Sequence, residues 1–190
     1  MDPQRRDVLS ASAAALLVAA TTQTACATEA PPPASVVPPG TPTDFDFLAG
    51  EWRIHHRRMR APGEWEEFEG EATVHRILNG VGSVEELRVP QRNFIGMGLR
   101  LLDVQNRVWN DYWVNGQSGV LPGGGQTGGF VDGVGAFGAD DMDGDQPIKV
   151  RGTWDNISPT TTRWRQAISR DGGVTWEENW LMDWTRVSTR

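Results

Sequence analysis

From Asp44 to the end of the chain, apolar and polar residues alternate in short runs, and no segment sustains a helical period. A period of two marks strands with one face buried and one face wet. The alternation predicts strands over Glu51–Met59, Trp65–Leu78, Val81–Val89, Phe94–Asp103, Val108–Asn115, Gly128–Val131, Val134–Phe137, Ile148–Asp155, Thr162–Ser169 and Val174–Arg186. Between them lie residues that favour tight turns: Ala61-Pro62-Gly63, Asn79-Gly80, Asp132-Gly133, Asp143-Gly144 and Asp171-Gly172-Gly173. Ten short strands joined by hairpins make an up-and-down antiparallel meander. Closing it into a barrel removes its exposed edges, and such a barrel can enclose one small ligand. A flattened sandwich with a solid core is the alternative.

The first 43 residues have a different pattern. Arg5 and Arg6 precede an uncharged run of small apolar residues from Val8 to Ala20, which is too short for a membrane-spanning helix. The order Arg5-Arg6-Asp7-Val8-Leu9 fits the twin-arginine export signal, which carries folded proteins. Ala25-Cys26-Ala27 fits a cleavage site, and Cys26 alternatively fits a lipidated cysteine. The expected organisation is a signal peptide over 1–27, a Pro-rich spacer over 28–43 and a β-barrel domain over 44–190. The product would be periplasmic or secreted, and the lipid reading would anchor it to the envelope. Cys26 is the only cysteine, so the domain holds no disulfide.

Charge narrows the partners. Setting aside Asp2, Asp7, Glu29, Arg5 and Arg6 turns the chain's net charge of −7 into −6 for the domain. Nucleic acid is not an expected partner, because phosphate binding needs a basic face. Contact with a membrane is expected only through the signal or a lipid on Cys26. Nothing in the sequence specifies an oligomeric state. All nine tryptophans and the single tyrosine follow Glu51. This supply points to an aromatic core or an aromatic-lined cavity.

Gly50-Glu51-Trp52 opens the first strand and Arg186 closes the last. With them stand Phe45-Asp46-Phe47-Leu48-Ala49, Ile54-His55-His56-Arg57-Arg58, Trp109 with Tyr112-Trp113, Phe130-Val131-Asp132-Gly133-Val134-Gly135, and Ser169-Arg170-Asp171-Gly172-Gly173-Val174-Thr175-Trp176 running on to Trp180. Together these resemble an uncharacterised family of bacterial lipocalin-like (calycin) domains across the whole domain. The resemblance implies a barrel closed at one end by an arginine lying over the Trp52 indole and bonded to carbonyls of the N-terminal turn. It implies no reaction.

Several motifs read as structural. Ser169-x-Asp171-x-Gly173-x-Thr175-Trp176 fits the Asp-box turn, but a propeller would repeat it. Asp140-Asp141-Met142-Asp143-Gly144-Asp145 misses the calcium-loop spacing and reads as a solvated turn. His55, His56 and His75 are the only histidines, and no metal site is expected. No cofactor is expected either: a haem held as in nitrobindin-type barrels would need a late histidine, and none follows His75.

Strand parity groups Trp52, Ile54, His56 and Arg58 against Arg53, His55, Arg57 and Met59, and leaves open which His-Arg pair faces inward. The same parity places Trp176, Glu178, Trp180, Met182, Trp184 and Arg186 on one face. The expected ligand-binding set is Arg57, Arg58, Glu86, Arg100, Trp113, Gln166 and Trp180, suited to a small, partly apolar organic molecule carrying a carboxylate or carbonyl. Two functions fit. One is a binding protein. The other is a cofactor-independent lyase, isomerase or cyclase with His55 or His56 as general base and an arginine or Tyr112 stabilising an oxyanion.

Overall fold

A computed structural model describes residues 37–121 and 123–189. The expected export signal, the expected Ala25-Cys26-Ala27 exit and most of the expected Pro-rich spacer lie outside the described residues. Ten antiparallel strands form the domain: β1 (Gly50–Ala61), β2 (Glu64–Ile77), β3 (Gly82–Val89), β4 (Phe94–Asp103), β5 (Val108–Asn115), β6 (Gln126–Val131), β7 (Val134–Asp143), β8 (Gln146–Asp155), β9 (Thr161–Ser169) and β10 (Glu177–Ser188). Each pairs with its neighbours in sequence, and β1 pairs with β10, so the sheet closes as a lipocalin-like, calycin-type barrel. The sandwich alternative is thereby excluded.

The turns follow from their residues. Asp132 and Gly133 both take positive φ, the two-residue geometry that matches the twist of flanking strands and joins β6 to β7. Two boundaries differ from expectation. β7 runs on through the acidic stretch to Asp143, where its residues are exposed while the backbone still pairs with β8. β10 starts at Glu177, because Asp171 spends its carboxylate on the turn before it. That carboxylate accepts the Val174 and Thr175 N–H groups and the Ser169 and Thr175 hydroxyls, while Trp176 donates to the Gly173 carbonyl. These bonds, the Thr175 hydroxyl first, hold the Asp171 carboxyl well below the usual range.

One end of the barrel is sealed by its own side chains. Trp52, Trp109, Trp154 and Trp184 are fully buried there with Leu48, Ile54 and Phe137. Trp52 and Trp184 meet edge to face at 5.8 Å, and Trp154 and Trp184 at 5.5 Å. A one-turn 3₁₀ helix, Asp46–Leu48, plugs the end, and Trp52 donates to the Leu48 carbonyl (2.7 Å). The Arg186 guanidinium lies 4.1 Å from the Trp52 ring and donates to the carbonyls of Phe47, Ala49 and Pro159. This is the Trp52–Arg186 closure expected from the sequence. The chain joins the barrel before Asp44: the Gly40 N–H donates to the Arg107 carbonyl (2.7 Å), and the Trp109 indole donates to the Asp44 carboxylate (3.0 Å).

Candidate functional site

Register fixes which side chains enter the barrel. Trp52 pairs with Ala72, Ile54 with Gly70 and His56 with Phe68, so Trp52, Ile54, His56 and Arg58 share the inner face. His55 is outside, bonded to Glu69 at 2.7 Å. Arg57 is outside as well, 3.3 Å from Glu67 and over the Trp65 ring, which removes it from the expected ligand set. On β3, Ser83, Glu85, Leu87 and Val89 are buried, whereas Glu86 points outward to Arg88 at 2.8 Å. Glu86 was expected inside, and the inward carboxylate is its neighbour Glu85. The error is one of parity, since Val84 offered an apolar residue to the opposite face.

Tyr112 is a further correction. Trp109 and Asp111 face inward on β5, so Tyr112 faces outward and cannot stabilise an oxyanion inside. On β10 a register shift between Glu178 and Trp180 splits the face expected to be continuous. Trp180, Met182 and Trp184 face in, while Glu178 pairs with Arg165 at 2.6 Å outside. Arg58, Arg100, Trp113, Gln166 and Trp180 remain on the inner side. Gln166 already donates to Asn179 (3.1 Å).

These residues gather in two places. The first is the open end, at the rim. Phe68 stacks on His56 with ring centres 4.5 Å apart and planes 9° from parallel. Trp180 donates its indole N–H to His56 Nδ1 (3.2 Å), and Trp164 meets Trp180 edge to face. Two arginines cover the stack: Arg92 lies 3.6 Å from the Phe68 ring centre and Arg58 lies 4.8 Å from that of Trp180. Arg92 also bonds Glu66 (2.9 Å), and Arg60 sits 3.7 Å from the same carboxylate. Arg58 has no ion pair among the described residues. The hydrogen bond from Arg92 and the nearby Arg60 and Arg58 hold Glu66 below its ordinary range.

His56 is fully buried, and its Nε2 has no hydrogen-bond partner among the described residues. An indole only donates, so Nδ1 is the acceptor and the neutral ring carries its proton on Nε2. Burial, assisted by Arg92 and His55, lowers its pKa to about 4. At neutral pH His56 therefore offers an N–H and no spare lone pair. The ring fits because residue 70 is glycine: a Cβ there would fall 2.6 Å from Nε2. The same device places Trp113 across Gly96 and Trp164 across Gly152.

The second place lies deeper. Arg100, with a side chain only 5% exposed, bonds Glu85 at 2.5 Å and sits 3.5 Å from Asp111. Its guanidinium carbon is 5.3 Å from the Trp154 ring and 5.4 Å from the Phe45 ring. Arg100 Nε and Nη1 have no hydrogen-bond partner among the described residues. Burial raises the Asp111 pKa to about 6, Arg100 opposing and Glu85 adding to it. Gln126 stands opposite Asp111 on β6.

Sequence reasoning missed Glu85, Asp111, Arg92 and Phe68. Asp111 was recoverable, since it alternates with Trp109 and Trp113. Arg92 was not, because its position comes from the turn Pro90–Arg92 rather than from a strand. Among the described residues no group of three or more His, Cys, Asp or Glu could hold a metal ion. Two outer grooves, of about 590 Å³ beside Asp140 and Arg170 and about 490 Å³ over β2–β4, are lined by charges already paired: Lys149 with Asp140, Arg170 with Asp143, and Arg88 with Glu71 and Glu86.

No known protein family and no curated protein matches the sequence. Solved structures do match in fold. An S-type phycobiliprotein lyase, CPES, of Guillardia theta aligns with a TM-score of 0.50 at 12% identity, over 77% of this chain and 92% of that one. Rv2717c of M. tuberculosis aligns with a TM-score of 0.50 at 9% identity, over 78% of this chain and 99% of that one. At these identities the likeness is one of fold.

Proposed function

We propose that this protein is an exported member of the uncharacterised bacterial lipocalin-like family and binds a small, planar, partly apolar anion at the open end of its barrel. The observation that carries the reading is the Arg58 guanidinium, stacked on Trp180 and in no ion pair among the described residues. Stacking fixes the plane of a guanidinium and leaves its N–H fork free for a carboxylate. Arg92, held over Phe68 in the same way, stands at the other end of the aromatic stack. A neutral His56 adds no charge between them. A lyase among proteins of the same fold supports ligand handling as a use of such a barrel.

The geometry favours binding over catalysis. A general base needs a free lone pair and a pKa near the working pH. His56 has given its lone pair to Trp180 and titrates near 4. The test is quenching of tryptophan fluorescence by 1-naphthoate on the full-length protein. Saturable quenching is expected, and Arg58→Ala should weaken it about tenfold, the usual worth of a charge-assisted hydrogen bond. Equal affinity in Arg58→Ala would remove the proposal.

A further inference from the structure

The strand pairing around the barrel is thinnest at one point. β6 pairs with β5 through only three positions, Trp109–Gly128, Asn110–Thr127 and Asp111–Gln126. β5 continues to Asn115, and β7 continues to Asp143 while pairing there only with β8. Among the described residues, Tyr112 to Asn115 therefore have no strand partner on the β6 side. Asp111 and Gln126 form the last rung of that pairing, and Gly125 runs on beside Asp111 and Tyr112. The Asp111 side chain is 18% exposed, whereas Glu85 and Arg100 behind it are closed off.

The chemistry at that rung is mixed. Arg100 brings two buried N–H groups, on Nε and Nη1, with no hydrogen bond among the described residues, Nε standing 3.5 Å from Asp111. A buried donor left unmet is costly, so these N–H groups favour an acceptor from outside the protein. Asp111 brings a carboxylate for which Arg100 already has a rival, since Glu85 takes its Nη2. Two carboxylates around one guanidinium leave one negative charge to be met by a proton or by a donor. The site thus presents a donor and an acceptor side by side, with Gln126 able to supply either.

We propose that the thinly paired stretch of wall beside the Asp111–Gln126 rung is a second recognition point, where Asp111 and Arg100 together read a neutral amide-like edge, an N–H adjacent to a C=O as in a lactam. Asp111 accepts the ligand N–H and Arg100 donates to its carbonyl. The pair suits a neutral edge better than a carboxylate, which Asp111 and Glu85 would repel. It suits such an edge better than a bare ammonium, which would leave the Arg100 donors unmet. This extends the small-molecule reading to the barrel's side but does not depend on Arg58.

The probes are 2-quinolone, which carries this edge, and 1-methyl-2-quinolone, which lacks the N–H. The full-length protein should bind 2-quinolone about tenfold or more tightly than the methylated form, because a site built around a hydrogen bond rejects the analogue lacking it. Asp111→Ala should erase the preference, and Arg58→Ala should leave it intact. Where Asp111→Ala does not fold, the wild-type pH profile decides. The charged groups around Asp111 are Arg100 on β4 and Glu85 on β3, β6 adding only uncharged Gln126, and the preference should fade below about pH 6 as Asp111 takes up its proton. Equal binding of the two probes, no binding of 2-quinolone, or a preference that survives Asp111→Ala or persists at low pH would overturn the proposal. The 1-naphthoate result at the rim is read separately, so either site can fail alone.

Discussion

The rim and the deep cluster are opposite in charge and in cost. At the rim, three arginines (Arg58, Arg60 and Arg92) surround one carboxylate, Glu66, and most of this charge is open to water. In the deep cluster one arginine serves two carboxylates, and the arginine and Glu85 are closed to water. Solvent screens the first surplus, so it costs the fold little and remains available to a ligand. The second cannot be screened, and the fold answers it by raising the Asp111 pKa. Arginines and carboxylates thus make a screened, water-facing cluster in one place and a costly buried network in the other.

The hardest test of that contrast removes one arginine from each place. Arg100→Leu leaves Glu85 and Asp111 buried together without a cation, and should cost about 3–5 kcal/mol of stability. Arg58→Leu, at the wet rim, should change stability by less than about 0.5 kcal/mol. Urea unfolding of both variants measures the difference. The Arg100→Leu loss should shrink on acidification, as Asp111 takes up its proton. Equal losses in the two variants would mean that burial does not separate the regions.

Next in size is an opposition in pH. Folded Asp111 keeps its proton up to about pH 6, against 3.8 unfolded, so raising the pH through this window removes a proton that only the folded state held, and stability falls. Folded His56 excludes a proton down to about pH 4, against 6.5 unfolded, so raising the pH removes a proton held only by the unfolded state, and stability rises. Each contribution reaches about 3 kcal/mol, and between pH 4 and 6 they oppose each other. Asp111→Asn should therefore leave a stability curve that climbs with pH, and His56→Gln one that falls. Parallel curves in the two variants would contradict the assignment.

How much of this was legible follows from what each residue depends on. The ten strands, the hairpins and the Trp52–Arg186 closure depend on local pattern, and the sequence carried them. The polar interior depends on register. Glu86 and Tyr112 were assigned one residue away from the inward Glu85 and Asp111, and the choice between Arg57 and Arg58 stayed open, because both faces of these strands carry polar groups. The step between Glu178 and Trp180 is a bulge, which leaves no mark on alternation until the strands are paired. The glycine notches under His56 and Trp113 were invisible for a related reason: a glycine shows its purpose only when the ring across the strand is known.

Those notches give a smaller test, confined to the rim. Gly70→Ala would set a methyl group 2.6 Å from His56 Nε2 and 3.2 Å from the Arg88 carbonyl oxygen. The ring must tilt away and loosen its bond from Trp180, at a cost of about 1–3 kcal/mol. The Trp180 fluorescence environment and the Nδ1 signal of His56 in nitrogen NMR should both shift. The Asp111 titration near pH 6, in the deep cluster, should stay in place.

The smallest effect separates the regions by salt alone. An ion pair at a wet surface weakens when the screening length shrinks, whereas a buried contact hardly responds. Raising the ionic strength from about 20 mM to about 500 mM should weaken 1-naphthoate at the rim a few-fold. The preference for 2-quinolone over its methylated form is a contest between neutral molecules at a site behind the wall, so the same salt should leave it unchanged. A naphthoate affinity indifferent to salt would place the anion away from Arg58, Arg60 and Arg92. A quinolone preference that falls with salt would place that probe at the rim as well, and the two regions would then be one site.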